Sequence, residues 1–352
     1  MAYTTIDYSQ QYFQCVLYTG DGSSRTITLP DTDADTDPDV VWIKQRGGDG
    51  TSHTVFDSVR GAQEAIFTNN SNAETTRTDA VSAFNTDGFD LGSNGDLNAN
   101  TETYAAWCWK ESATAGFDIV AYTGDGVIGT TVAHSLSAKP EFILIKARAG
   151  TNAANNWYCW NVGLSADRNL SINTNAAQFA DPGSGIIKTT QNTSNFGFSS
   201  SDGSGIVNVN EDSTTFIAYL WSAKQGFSKF GKYTGNGNAD GPFIYLGFRP
   251  AWILTKRTDS TGNWNLFDNR RTGGTQELTL GKANPMEMLL HPDLSNAEVD
   301  VSGGGHSIDG LANGFKIRSS SAISNASDGT YVYACFADAP LVNSKGVPCC
   351  AM

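Results

Sequence analysis

Hydrophobic positions in this chain come in short alternating bursts, interrupted every few residues by clusters of Gly, Asn, Asp and Ser. The stretch from 117 to 221 shows the pattern most clearly. Phe117-Asp118-Ile119-Val120-Ala121-Tyr122 alternates as a strand and runs into Gly124-Asp125-Gly126. Asp-Gly pairs accept the positive φ angles of a type I′ turn, so a tight hairpin is predicted there. A second strand is predicted over Gly129 to Leu136, and a third over Pro140-Glu141-Phe142-Ile143-Leu144-Ile145-Lys146. Proline cannot donate to a ladder and so marks a strand's beginning, while the nearly continuous apolar run behind it suits a strand buried on both faces near a sheet centre. Further strands are predicted over Trp157 to Asn161, Asn169 to Asn173, Gly185 to Thr189, Asn195 to Phe198, Ile206 to Val209 and Thr215 to Trp221. No long run places apolar residues at helical spacing, so helix is expected to be minor.

The pattern is written three times. Tyr18-Thr19-Gly20-Asp21-Gly22 returns 104 residues later as Tyr122-Thr123-Gly124-Asp125-Gly126, and 111 residues after that as Tyr233-Thr234-Gly235-Asn236-Gly237. A second anchor keeps its spacing in every copy: Pro38 and Lys44, Pro140 and Lys146, Pro250 and Lys256. The closing strand Thr215 to Trp221 is matched by Thr103 to Trp109 and by Thr330 to Phe336. These steps are domain-sized, unlike the ~20 to 50 residues of a solenoid unit. Short strands without helical crossovers predict an all-β chain of three tandem antiparallel β-sandwich repeats, jelly-roll or lectin-like in kind. Their expected bounds are residues 13–112, 113–224 and 225–342, with residues 1–12 and 343–352 as docking segments at the two ends. The linkers are only a few residues long, which predicts a nearly fixed relation between copies.

Composition narrows the partners. With 23 basic and 36 acidic residues the formal charge is −13, which argues against nucleic acid and against an anionic membrane surface. No stretch of ~18 apolar residues predicts membrane insertion. The opening Met1 to Asp7 lacks the basic and apolar regions of a signal peptide, so synthesis in a cytoplasm without export by the usual route is expected. The six cysteines form no zinc spacing. Cys108 and Cys335 read as small buried thiols in apolar strands, and Cys349 and Cys350 as free thiols.

Candidate chemistry is sparse. The acidic run Asp31-Thr32-Asp33-Ala34-Asp35-Thr36-Asp37-Pro38-Asp39 supplies oxygen ligands of the kind calcium takes, with Asp31, Asp33 and Asp35 as candidates. It lacks the glycine and the final acid of an EF-hand loop, and a solvated loop is the competing reading. Most tryptophans recur at one place per copy and read as core. Trp157 and Trp264 sit three residues before a core aromatic, with His53 at the matching place, so all three are expected on the opposite strand face as the ligand-binding candidates, since aromatic rings stack on sugars. Lys44, Lys146 and Lys256 end a buried strand, where a stem lying on apolar surface with its amine in water is expected and a contact between copies is the alternative. The four histidines are scattered, and HExxH, GxSxG and phosphate-loop patterns are absent. No carboxylate recurs in all three copies within a strand, and the place held by Asp57, Asn161 and Asp268 varies between acid and amide. A non-enzymatic chain without a cofactor is expected. A glycosidase-like pair of carboxylates is the form an active site would take.

These residues carry a resemblance. The Tyr-Thr-Gly-Asp/Asn-Gly opening, the strand with Pro six residues before Lys, the Trp- and Phe-rich closing strand and the tail Val342-Asn343-Ser344-Lys345-Gly346-Val347-Pro348-Cys349 resemble a family of repeat-built virion proteins of tailed phages. The likeness covers nearly the whole chain. It implies a virion component made in the host cytoplasm, in a tail fibre or other tail appendage, with other virion proteins as partners. By analogy it implies a homo-oligomer, a trimer above all, with host-surface glycan contact as a second role. Capsid decoration and polysaccharide depolymerase are the alternatives, and no functional residue is carried over.

Overall fold

The computed structural model describes all residues except 1–2, 32–35, 49, 152, 166, 181–190, 199–206, 272–283, 304–305, 343–344 and 346–352. The chain is nearly all β, and every strand pairing among the described residues is antiparallel.

Each copy builds the same large sheet. In copy one, strand β1 (Phe13–Thr19) pairs with β2 (Thr103–Trp109), the last strand of the copy; β2 pairs with β3 (Val40–Gln45), and β3 with β4 (Thr54–Asp57). Copies two and three repeat that order with Phe117–Thr123, Thr215–Trp221, Phe142–Ala149 and Tyr158–Asn161, then with Ser228–Thr234, Thr330–Pro340, Phe248–Arg257 and Asn265–Asp268. The strand that follows each Pro anchor is therefore interior, as its apolar run requires.

A smaller sheet covers one face. In copy one, Arg25–Thr28, Gly88–Leu91 and Val81–Asn85 form it, and its Ile27, Phe89 and Leu91 meet Val41, Ile43 and Cys108 of the large sheet in a closed core. Thr131–Ala133 with Asn195–Gly197, and Phe243–Tyr245 with Gly314–Ile317 and Ile308–Leu311, are the counterparts.

The recurring Tyr-Thr-Gly-Asp-Gly segment is not a hairpin. The strands on either side of it belong to different sheets, so the turn carries the chain from the large sheet to the small one. Each residue of the motif has a packing reason. Tyr18 donates its hydroxyl to Leu97 O at 2.8 Å, as Tyr122 does to Val209 O and Tyr233 to Ser324 O. A Cβ on Gly20 would stand 2.1 Å from Ala99 O, and one on Gly124 2.1 Å from Glu211 O. Asp21 accepts from the Ser23 N–H and from Asn98 Nδ2, which belongs to the one-turn helix Gly95–Asn98. Where a strand was expected over Ile206 to Val209, Val207–Asn210 is the same one-turn helix in copy two. The expected strand Gly185 to Thr189 lies outside the described residues.

Copies close on one another around the other face of the large sheets. Strand residues alternate sides, so Val41 and Ile43 point into their own sandwich while Val40 and Trp42 point at the neighbouring copies. Trp109, Trp221 and Phe336, equivalent in the repeat, form a triangle with ring centroids 6.5, 6.3 and 5.7 Å apart. Three copies thus share one central core as a ring. Residues 3–12 are not a free docking arm: Ile6 is buried, Tyr3 donates to Gly247 O, Gln10 donates to Asp338 O and Tyr12 meets Phe227 edge to face. They tie copy one to copy three where no linker does.

Candidate functional site

The seams between copies gather the residues that sequence patterns single out. Trp157, from copy two, donates Nε1 to Phe67 O of copy one at 2.8 Å, and Trp264, from copy three, donates Nε1 to Ser171 O of copy two at 2.9 Å. His53 holds the equivalent place against copy three, and Trp42 Nε1 donates to its Nδ1. All three are at most 2% exposed. They are interior posts between copies and present no aromatic face to a surface ligand, which corrects the expectation set on strand parity. Parity was right about the opposite face; that face is covered by the next copy. Burial holds the His53 imidazole well below the usual histidine range.

A polar chain runs through each seam. Tyr219 of copy two donates its hydroxyl to Asp57 Oδ2 of copy one at 2.5 Å, and Trp107 of copy one donates Nε1 to Asp268 Oδ2 of copy three at 3.0 Å. Each of these aspartates is fully buried and ion-paired three residues on, Asp57 with Arg60 and Asp268 with Arg271. Each arginine also meets a glutamate, Glu74 or Glu298, which in turn pairs with Arg148 or Arg46 of the neighbouring copy. The pairing offsets the cost of burying charge. Arg148 and Arg60 hold the Glu74 carboxyl below the usual range against the opposing effect of burial.

The third seam is neutral. Copy three presents Ala334 where the others present Trp107 or Tyr219, so no side-chain donor reaches Asn161 from that place. Asn161 stands in place of the aspartate and donates Nδ2 to Tyr333 O at 3.0 Å. Leu164 replaces the arginine, Gln178 the glutamate and Thr258 the second arginine, while the backbone bond survives as Gln178 N–H to Thr258 O at 2.8 Å. The acid-to-amide variation at 57, 161 and 268 was the legible sign of this arrangement, but the partners lie in other copies.

Lys44, Lys146 and Lys256 are buried, which corrects the expectation of amines in water. Lys44 Nζ donates to Gln45 O and Thr51 Oγ1, Lys146 Nζ to Ala147 O and Ala153 O, and Lys256 Nζ to Arg257 O. Burial pushes Lys146 and Lys256 down to about 8.

Where copies one and two join, carboxylates crowd. The Glu111 N–H donates to Asp39 Oδ2 at 2.7 Å, and Glu111 shares a side-chain hydrogen bond with Asp118, whose Oδ2 accepts the Ser135 N–H. Burial first, and Asp118 second, push Glu111 up to about 8. Asp118 is 4% exposed, so the pair does not line an open cleft of the kind a polysaccharide chain enters.

Among the described residues no three His, Cys, Asp or Glu side chains converge as ligands for a cation. Asp31 is tied through its backbone to Gln14, and Asp33 and Asp35 lie outside the described residues. Cys15, Cys108, Cys159 and Cys335 are buried free thiols; Cys349 and Cys350 also lie outside. No described helix is long and apolar enough to cross a membrane. On the axis, an apolar cavity of about 30 Å³ lies among Trp42, Trp109, Trp157, Trp221, Trp252 and Phe336. It has room for about one water and offers a water no polar partner.

Neither a curated protein nor a solved structure matches the chain. A family model matches over residues 8–340, a span that takes in nearly all of the three copies and the second half of the N-terminal tie. The chain therefore belongs to the family described as a domain of unknown function, DUF7483.

Proposed function

We propose that this chain is a non-enzymatic structural protein of a tailed-phage virion, part of a tail fibre or another tail appendage, with contact to host-surface glycan as a second role. The observation that carries the reading is the use made of the repeated residues. The turn motif, the Pro and Lys anchors and the recurring aromatics are all spent on packing each copy and closing the ring, and none converges on an open cleft. Repetition devoted to shape suits a part that builds or caps an assembly. One chain already offers three near-equivalent faces, so it fits a threefold position singly, and a homotrimer multiplies those faces. The surface is acidic, consistent with partners that are proteins or neutral sugars.

Imaging particles that carry a labelled copy of the chain tests the reading. Label on the tail supports it, label on the head makes the chain a decoration protein, and particles without label overturn both. Soluble fragments released from host capsule by the purified chain would make it a depolymerase.

A further inference from the structure

The outer faces of the small sheets share one framework but differ in chemistry. In copy one the outward-facing row is Thr28, Gly88 and Asn85, of which Thr28 is exposed, with Thr26, Asp90 and Ala83 beside it. In copy three the same two rows are Tyr245, Gly314 and Leu311, with Phe243, Lys316 and Asp309 beside them. Copy two has Ala133 and Thr131 at the leading places. Phe243, Tyr245 and Leu311 are 44, 50 and 36% exposed. A sandwich of this design closes with threonine at those positions, so folding does not require the rings.

The rings are held and flanked. Lys229 Nζ donates to Tyr245 O and stands 5.1 Å from the Tyr245 ring centroid. A Cβ at Gly314 would stand 2.1 Å from Ile244 O, as one at Gly88 would stand 2.0 Å from Ile27 O, and 3.0 Å from the Phe243 ring, which packs over the glycine. Beside them Lys316 pairs with Asp240 at 2.9 Å, and Arg318 with Asp309 at 2.6 Å. With Lys229 the face carries three bases and two acids, each base held in a local contact. The face offers exposed aromatic surface edged by donors and acceptors whose charges are held in local contacts, which matches the apolar faces and hydroxyl edges of a sugar ring.

We infer that the outer sheet face of copy three, centred on Phe243 and Tyr245, binds a neutral glycan. The inference deepens the contact role proposed above and locates it on one copy. The purified full chain is titrated with neutral trisaccharides of glucose, galactose, mannose and N-acetylglucosamine, followed by saturation-transfer NMR and calorimetry. At least one is expected to bind, and Phe243→Thr with Tyr245→Thr, the residues copy one carries, weakens it about tenfold while the circular dichroism of the folded chain is retained. Thr26→Ala with Thr28→Ala leaves binding unchanged. The inference is overturned if none of the four binds, if the copy-three variant binds as well as the parent, or if dextran sulfate displaces the sugar better than dextran does. Particle location is a separate readout, so either claim can fail alone.

Discussion

Asn161 of copy two gives its Nδ2 proton to the main-chain oxygen of Tyr333 in copy three, 3.0 Å away, where the equivalent Asp57 and Asp268 accept protons instead. The residue type follows its neighbour: an acceptor where the next copy brings Tyr219 or Trp107, a donor where it brings a bare carbonyl. Asn161→Asp would set a buried carboxylate against that oxygen with Leu164 where an arginine is needed. It is expected to cost about 3 to 5 kcal/mol. Adding Leu164→Arg should recover part of the loss, read from urea denaturation of both variants; a cost no larger than a surface change would refute the seam code.

Asp293 is the acid that copies one and two replace by amide. Asn69 and Asn173 accept the N–H of His53 and Trp157 and place Nδ2 on Ser52 and Asn156, whereas Asp293 accepts from Trp264 N–H and leaves Oδ2 without a partner. Burial pushes Asp293 up to about 7. A raised acid favours the folded state while protonated, so stability falls as pH climbs from about 4 to about 7. Asp293→Asn should remove that slope and add about 1 to 3 kcal/mol above pH 7. Melting curves at pH 4 and pH 8 decide it.

Glu111 acts in the same sense over a higher window. Its pKa, raised from 4.5 to about 8, makes its contribution fade as pH rises between those values, when a second charge appears beside Asp118, Asp39 lies near and Asp118 also faces His134. Glu111→Gln should match the parent at pH 4 and exceed it at pH 9. Equal pH profiles for the two would show that the carboxylates are not in contact.

Gly124→Ala would bring a methyl within 2.1 Å of Glu211 O in the backbone of the helix cap. Overpacking against main chain cannot be relieved by a rotamer change, so a loss of about 3 kcal/mol is expected. Gly95→Ala, with open space around its Cβ, is the control.

Much of the fold was legible because a sandwich strand advertises itself locally. The run Phe142 to Lys146 and the closing strands are apolar on both faces, and both faces are buried. What covers the second face was not legible, because the residues that do so lie a whole copy away in sequence. Trp157 and Trp264 therefore read as surface candidates and are interior. The lysines misled for the same reason: the carbonyls that hold Lys146 come partly from the loop at Ala153, whose path no local pattern sets. The turn at Gly20-Asp21-Gly22 has hairpin chemistry, yet positive φ at Gly22 serves a crossing between sheets. Phe243 and Tyr245 stand out only when the three copies are laid on one framework.

Because the opening strand of every copy lies beside its closing strand, and residues 3–12 bind copy three, Tyr3 and Gln10 lie against Gly247 and Asp338, beside the close of the last strand. The seam chemistry tells the copies apart, but the strand order of the large sheets does not mark a first unit. A circular permutant that starts at residue 113, with old termini joined by a short spacer, has the same neighbours to find and should reach the same native state.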